Sequence, residues 1–279
     1  MYNILIVGAG YLGSRIARNF KEKKQRVYAV TRNREKAADF EKEGILPVVA
    51  DLSDPQTLQK IPAAHFIVIS VAPDESTEAG YRKIYLEGIR NFFQSRANQP
   101  RPYLIVLISS TSVWKDCGGE WVHETVPVDP DSEKGKILKA SEAIVLESGY
   151  PAVIFRLSGI YGPGRNGLEA FRSGRWPSPS EPDGYRNMIH VEDAAQALPV
   201  LFKEAKEGQI YIGSDEEPVL RSRFCEWLSQ KTGVTSAPGQ VIKKVGGKRL
   251  KNQKLKDLGF KFLYPTFREG YESFMKEDK

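Results

Sequence analysis

The chain has little of what cross-links and metal centres are made from. Its 279 residues include two cysteines and three histidines. Cys117 and Cys225 are far apart in sequence and make neither a disulfide framework nor a metal-binding pair. His65, His123 and His190 show no ligand spacing, so metal chemistry is not expected. No apolar run approaches the ~20 residues of a membrane-spanning helix, and no membrane partner is expected. The first apolar run opens within a few residues of the start, leaving no room for a signal or transit peptide. Few thiols and no leader together point to a reducing, cytoplasmic location. Internal repeats and low-complexity tails are missing as well.

Carboxylates are missing from one stretch. Net charge is +6. Much of it lies in Lys243, Lys244, Lys248, Arg249, Lys251, Lys254 and Lys256, with no acid among them. A nucleic-acid footprint would interleave base-stacking aromatics there, and none occur. A solvated face near an anionic substrate or cofactor is the preferred reading, and nucleic acid is not an expected partner.

What the chain does have begins at Gly8-Ala9-Gly10-Tyr11-Leu12-Gly13. The apolar run Ile4-Leu5-Ile6-Val7 precedes it, and apolar positions at helical spacing follow over Ser14 to Phe20. This is the strand, glycine turn and helix of a dinucleotide-binding βαβ unit. Gly8 allows the tight turn, Gly10 lets the backbone approach a pyrophosphate, and Gly13 lets helix and strand pack closely. Tyr11 and Leu12 bring their N–H groups to the same helix N-terminus, whose partial positive charge favours phosphate. A second strand, Val27 to Val30, follows at βαβ distance.

The end of that second strand selects the cofactor. NAD sites usually carry an acid there, bonding the ribose 2′-hydroxyl. This chain reads Val30-Thr31-Arg32-Asn33-Arg34. Thr31 and Arg32 suit a 2′-phosphate, so NADP is favoured over NAD. The alternatives are that Arg32 and Arg34 are solvated charges, and that Glu35 is a ribose ligand rather than a first-turn helix residue.

Apolar runs alternate with helical patterns to about residue 210. A third strand near Leu46 to Ala50 ends in Asp51 and Leu52, where a carboxylate can accept from the adenine amino group. Ser53 or Asp54 can cap a helix whose first residue is Pro55. A fourth strand, His65 to Val71, brings Ser70, Val71 and Ala72 to the cleft; His65 reads as structural. A long helix is expected from Ala79 to Ala97, a fifth strand from Tyr103 to Ile108, a helix from Ser132 to Ser148, and a sixth strand from Ala152 to Arg156. Gly159 to Gly184 reads as mostly loop, Val191 to Ala205 as helix, and Gln209 to Ile212 as the last strand. Ligands of such sheets bind outside the carboxyl ends of the strands.

Three further stretches carry a resemblance to the extended short-chain dehydrogenase/reductase superfamily, the NAD-dependent epimerase/dehydratase family. They are Ile108 to Trp114, Arg156 to Gly164, and Asn187 to Ala195. The resemblance implies a Rossmann-type doubly wound α/β sheet over residues 1–160 and 186–212. A smaller substrate-binding part is implied over 161–185 and 213–279. It places Leu157, Ser158 and Gly159 beside the nicotinamide and Asn187 near the substrate. It implies an oxidoreductase or epimerase acting on a small, sugar-like molecule, as a monomer or homodimer. Relatives use a serine or threonine, an asparagine, and a tyrosine and lysine spaced YxxxK. The serine falls on Ser110, with Thr111 the alternative, and the asparagine position falls on Tyr85. No YxxxK occurs in the chain; Lys134-Gly135-Lys136-Ile137-Leu138-Lys139 stands in its place. Losing a tuned phenol removes about 10²- to 10⁴-fold of proton-transfer catalysis. Candidates to replace it are Tyr85, Tyr161 and Lys139. His190 and Arg186 are further groups near the substrate, with His190 preferred as a buried structural residue. Arg172 and Arg175 can meet an anionic substrate group. The other function open to such a chain is non-catalytic sensing of NADP(H) or a metabolite.

Overall fold

The computed structural model describes residues 1–176, 183–234 and 244–277. Lys243 of the basic run and part of the expected 159–184 loop lie outside them. Seven parallel strands form the central sheet. They are β1 (Asn3–Val7), β2 (Arg26–Thr31), β3 (Leu46–Val49), β4 (Phe66–Ile69), β5 (Leu104–Ser110), β6 (Ala152–Leu157) and β7 (Ile210–Gly213). Their spatial order is β7-β6-β5-β4-β1-β2-β3. The order reverses between β1 and β4, and a cleft opens beyond the strand ends at that point. The α/β Rossmann-type class read from the sequence is the one observed.

The near-continuous apolar strands are explained by what covers them. Side chains alternate along β1, so Ile4 and Ile6 enter one core while Leu5 and Val7 enter the other. The first core lies under α1 (Tyr11–Glu22) and α8 (Val191–Glu204), with Ile16, Phe20 and Leu198 buried. The second lies under α3 (Pro55–Leu58), α5 (Ile89–Ser95) and α6 (Glu133–Leu146), with Leu58, Phe92 and Val145 buried. Each such side chain contributes about 1.5–3 kcal/mol by leaving water. Asp54 caps α3 by accepting from the Gln56 N–H, and Pro55 takes the first helical position. α2 (Arg34–Lys42) is capped by Asn33.

Two expectations change. The long helix is in three parts: α4 (Glu78–Tyr81), a π-helical segment (Arg82–Gly88) and α5. The buried Ile84 and Ile89 stand five residues apart, a step that suits the wider i→i+5 turn better than an α-turn. Gly88 permits it, since a Cβ there would lie 3.0 Å from the Leu52 Cβ. The stretch after β6 holds more structure than a loop. A strand Gly159–Tyr161 pairs in parallel with Met188–His190, α7 (Leu168–Arg172) follows, and a strand Asp183–Arg186 pairs antiparallel with Val219–Leu220. Those pairings are long-range, so local glycine and proline content conceals them. The last part holds α9 (Arg221–Thr232), α10 (Gln253–Asp257) and α11 (Phe267–Glu277). A separate aromatic core of Phe224, Trp227, Phe267 and Tyr271 joins α9 to α11. Among the described residues, no helix is long and apolar enough to cross a membrane.

Candidate functional site

A cavity of about 910 Å³ lies at the carboxyl ends of β1, β2, β4, β5 and β6. Gly8 has φ +93°, and a Cβ there would sit 2.6 Å from the Ser70 carbonyl oxygen. A Cβ on Gly13 would collide with the Gly8 carbonyl. At Gly10 a Cβ would meet nothing within 4 Å. Gly10 lines the cavity and is the N-cap of α1, with no side chain capping the helix and no acid in its first turn. Two glycines therefore shape the turn, and the third leaves open the space where a phosphate can approach the helix N-terminus. Tyr11, Leu12, Thr31, Arg32, Asp51 and Leu52 line the same cavity. So do Ser70, Val71, Ala72, Leu157, Ser158 and Gly159. Of the residues expected at the cofactor, Gly13 alone lies behind this wall, packed against β1.

Arg32 at the end of β2 is not a bare solvated charge. Both of its terminal nitrogens bond the two oxygens of Asp74, and Asp51 lies 3.7 Å away. The Arg32 guanidinium holds Asp74 below the usual carboxylate range. Asp51 accepts from the Ser53 N–H and hydroxyl at 2.8 Å each. Sequence reading missed Asp74, because it lies 42 residues from Arg32 in a loop without a motif.

At the other end of the cavity β5 runs into a 3₁₀ turn, Thr111–Val113. Ser110 Oγ accepts from the Ser112 N–H at 3.1 Å and lies 2.9 Å from the Ser112 hydroxyl. Thr111 is buried and lines both this cavity and the next. The strand end is braced from behind. Arg156 of β6 bonds Glu142 of α6 through two nitrogens at 2.9 and 2.6 Å, and Ser109 donates to the same carboxylate at 2.6 Å. Trp114 lies under the Arg156 guanidinium, 4.5 Å from ring centre to carbon.

The structure does not bring every candidate acid to the cleft. Lys139 donates to the Val128 carbonyl and lines neither cavity. Lys134 donates to Ser76 and lies over the Tyr81 ring. Tyr85, on the π segment, lines the first cavity, but its hydroxyl donates to the Val71 carbonyl at 3.2 Å. Burial, and then Tyr81, push that phenol well above its usual range. Tyr161 lines the second cavity, with its buried hydroxyl turned to Gly270 and its ring stacked on Tyr271 at 5.1 Å.

A second cavity, of about 1020 Å³, continues from the first. Among the described residues, Arg165, Arg172, Arg175 and Arg186 line it, against the one carboxylate of Glu169. Arg186 packs on the Trp176 and Phe224 rings, and burial pushes its pKa down. Asn187 lines this cavity with its amide already engaged. It donates to the Lys248 carbonyl at 2.7 Å and accepts from the Leu250 N–H at 2.9 Å. His190 lines neither cavity. Its Nδ1 accepts from the Glu192 N–H and caps α8, and burial pushes its pKa down to about 4. Lys248, counted in sequence only as part of a basic run, lines both cavities together with Thr111, Gly159, Ile160 and Arg165. No local signal marks it, because its position depends on pairings with segments more than sixty residues away.

The TrkA-N domain family matches residues 4–81, the part that holds the glycine turn. Protein YeeZ of Escherichia coli K12 is 27% identical over 283 aligned positions, covering 95% of this chain and 97% of that one. A candidate NAD-dependent epimerase/dehydratase from Methylobacillus flagellatus superposes with a TM-score of 0.83 at 28% identity, over 99% of this chain and 98% of its own. MoeE5, solved with UDP-glucose and NAD, superposes with a TM-score of 0.81 at 18% identity, over 96% of this chain and 95% of its own.

Proposed function

We propose that this chain, whose fold is that of the extended short-chain dehydrogenases of the NAD-dependent epimerase/dehydratase type, is an NADP-dependent oxidoreductase or epimerase of a small anionic, sugar-like substrate. One observation carries the reading. A cavity built on a glycine turn and a cavity lined by arginines share a wall of Thr111, Gly159, Ile160, Arg165 and Lys248. A coenzyme in the first and a substrate in the second would meet there. The split into 1–160 with 186–212, and 161–185 with 213–279, follows those two tasks.

The glycine turn and the first N–H groups of α1 hold the pyrophosphate. Arg32 and Thr31 receive the 2′-phosphate, with Arg32 exchanging Asp74 for it. Leu157, Ser158 and Gly159 form the floor under the nicotinamide, and Thr111 and Ser110 orient the substrate oxygen. Arg165 and Arg186 bind the anionic end of the substrate. When bound, the nicotinamide supplies or takes the hydride. Cys117 and Cys225 are both unpaired thiols, which suits a reducing cytoplasm.

Titration of the protein with NADPH and NADH, followed by nicotinamide fluorescence and melting temperature, tests this. NADPH binding at micromolar concentration with a raised melting temperature is expected. No response to either coenzyme would remove the reading. The missing YxxxK favours a second one, a sensor that binds coenzyme without turnover. NADPH bound but never oxidised, across sugar-nucleotide ketones, would select it.

A further inference from the structure

Lys248 sits in a short strap that ties the two parts of the molecule together. On one side Val245–Gly246 pairs with Asp183 and Gly184. On the other, Arg249–Leu250 pairs with Trp121–Val122. Between them Gly247 takes φ +77°, and a Cβ there would lie 2.9 Å from the Tyr185 nitrogen. The Gly247 carbonyl accepts from the Cys117 and Gly119 N–H groups at 3.0 and 2.9 Å. Asn187 then clamps the chain just past the lysine, at the Lys248 carbonyl and the Leu250 N–H. A lysine on a loop is normally mobile; this one has its backbone held from three directions.

Its side chain is fixed too. Nζ donates to the Trp114 carbonyl at 2.8 Å. An ammonium has three donors, so two remain for a ligand. Trp114 in turn is packed on Arg156, the residue that braces the Ser109–Thr111 strand end. Lys248 and Thr111 both line the wall where the two cavities join.

We propose that Lys248 is the catalytic residue that exchanges a proton with the substrate oxygen, in place of the phenol that the chain lacks. This rests on the coenzyme reading above. A carbonyl becoming an alcohol takes up one hydride, from the reduced coenzyme, and one proton, from the Lys248 ammonium. The C=O π bond breaks, C–H and O–H bonds form, and Lys248 is left as a neutral amine that regains its proton from water. In the reverse direction the amine takes the hydroxyl proton as the hydride leaves.

The electrostatics around the group agree with that duty. Burial pushes the Lys248 pKa down, which eases proton release. Asp116 and Asp131 act against burial, as does the Cys117 thiol, while Arg165 shares the wall of both cavities. Among the other candidates, Lys139 and Lys134 line neither cavity, and Tyr85 commits its one O–H to the Val71 carbonyl.

The test uses the full chain with its lysines dimethylated by ¹³C-formaldehyde, followed by NMR across pH. The Lys248 signal is identified by its loss in Lys248→Arg or, should that variant fail to fold, Lys248→Gln. It is expected to titrate below the surface lysines, which correspond to the ordinary value of about 10.4. It is also expected to move when NADPH is added. A Lys248 signal that titrates with the surface lysines overturns the proposal. So does one that saturating NADPH leaves in place while nicotinamide fluorescence reports binding. Absence of that fluorescence change overturns the coenzyme reading itself, and the two failures are told apart in one sample.

Discussion

Arg32, proposed above to receive the 2′-phosphate, already has an anionic occupant. Asp74 grips it through two bonds, and the pair is well exposed, with Asp74 at 70% side-chain exposure. Exposed pairs of this kind are worth about 0–1 kcal/mol, whereas a charge-assisted bond to a phosphate is worth about 1.5–3 kcal/mol. Exchange of carboxylate for phosphate is therefore favourable. Arg32→Glu should weaken NADPH binding by roughly 10- to 100-fold and NADH binding little. Asp74→Asn should tighten NADPH up to about fivefold. Parallel titrations with both coenzymes decide; equal effects on the two would rule out a 2′-phosphate site. His190 gives a second expectation at this scale. Its native pKa is about 4, below the unfolded value of about 6.5. The native state thus binds fewer protons in that window. The resulting stabilisation is complete above pH ~6.5 and is lost as pH falls through about 4. The melting temperature of the native chain should drop over that range relative to His190→Asn, and a constant difference between the two curves would refute it. Asp193, pushed up to about 6 by burial, contributes with the opposite sign and is common to both chains.

Among the elements, the β5 end depends on what stands behind it. Glu142 and Arg156 are 5% and 3% exposed, and Ser109 shares their bonds. Removing one member of a buried pair leaves the other charge uncompensated, at a cost of about 3–5 kcal/mol. Glu142→Ala should lower the urea midpoint accordingly; an unchanged midpoint would mean that the brace does not hold the strand end. This brace also marks the limit of what the sequence discloses. The β1–α1–β2 unit is legible because strand, turn and helix are contiguous, and each glycine has a steric reason that can be named without coordinates. The helix at Ser132 is legible for the same reason, since its cap and first turn are neighbours. The strap at 245–250 is not, because its strands are two residues long and find their partners only after the chain has returned across the sheet. Asn187 is readable as a residue near the substrate and not as a clamp, since both groups it bonds lie more than sixty positions away. Lys139 is plausible by its spacing and is misplaced by one fact that spacing cannot supply, the Val128 carbonyl that takes its ammonium.

Taken whole, the molecule places its positive charge where two cavities join. Net charge is +6, and four arginines and Lys248 face the second cavity. Its affinity for an anionic ligand should then depend on ionic strength, because the screening length shrinks from roughly 10 Å at 0.1 M to about 3 Å at 1 M salt. UDP-glucose, used as the probe, should bind several-fold more weakly at high than at low salt, as read by calorimetry. Salt-independent binding would mean that the arginines do not hold the phosphates. The π segment Arg82–Gly88 has a consequence of another kind. Its hydrogen-bonded ring carries one residue more than an α-turn, and an α-helix rotates by about 100° per residue. Deleting a single position there, Glu87 for example, would let ordinary pitch resume and swivel the upstream stretch about its axis. The Tyr85 ring would swing out of the lining of the first cavity while the sheet beneath stayed intact. That segment thus works as a rotary stop, setting which face of one long rod looks down on the cleft.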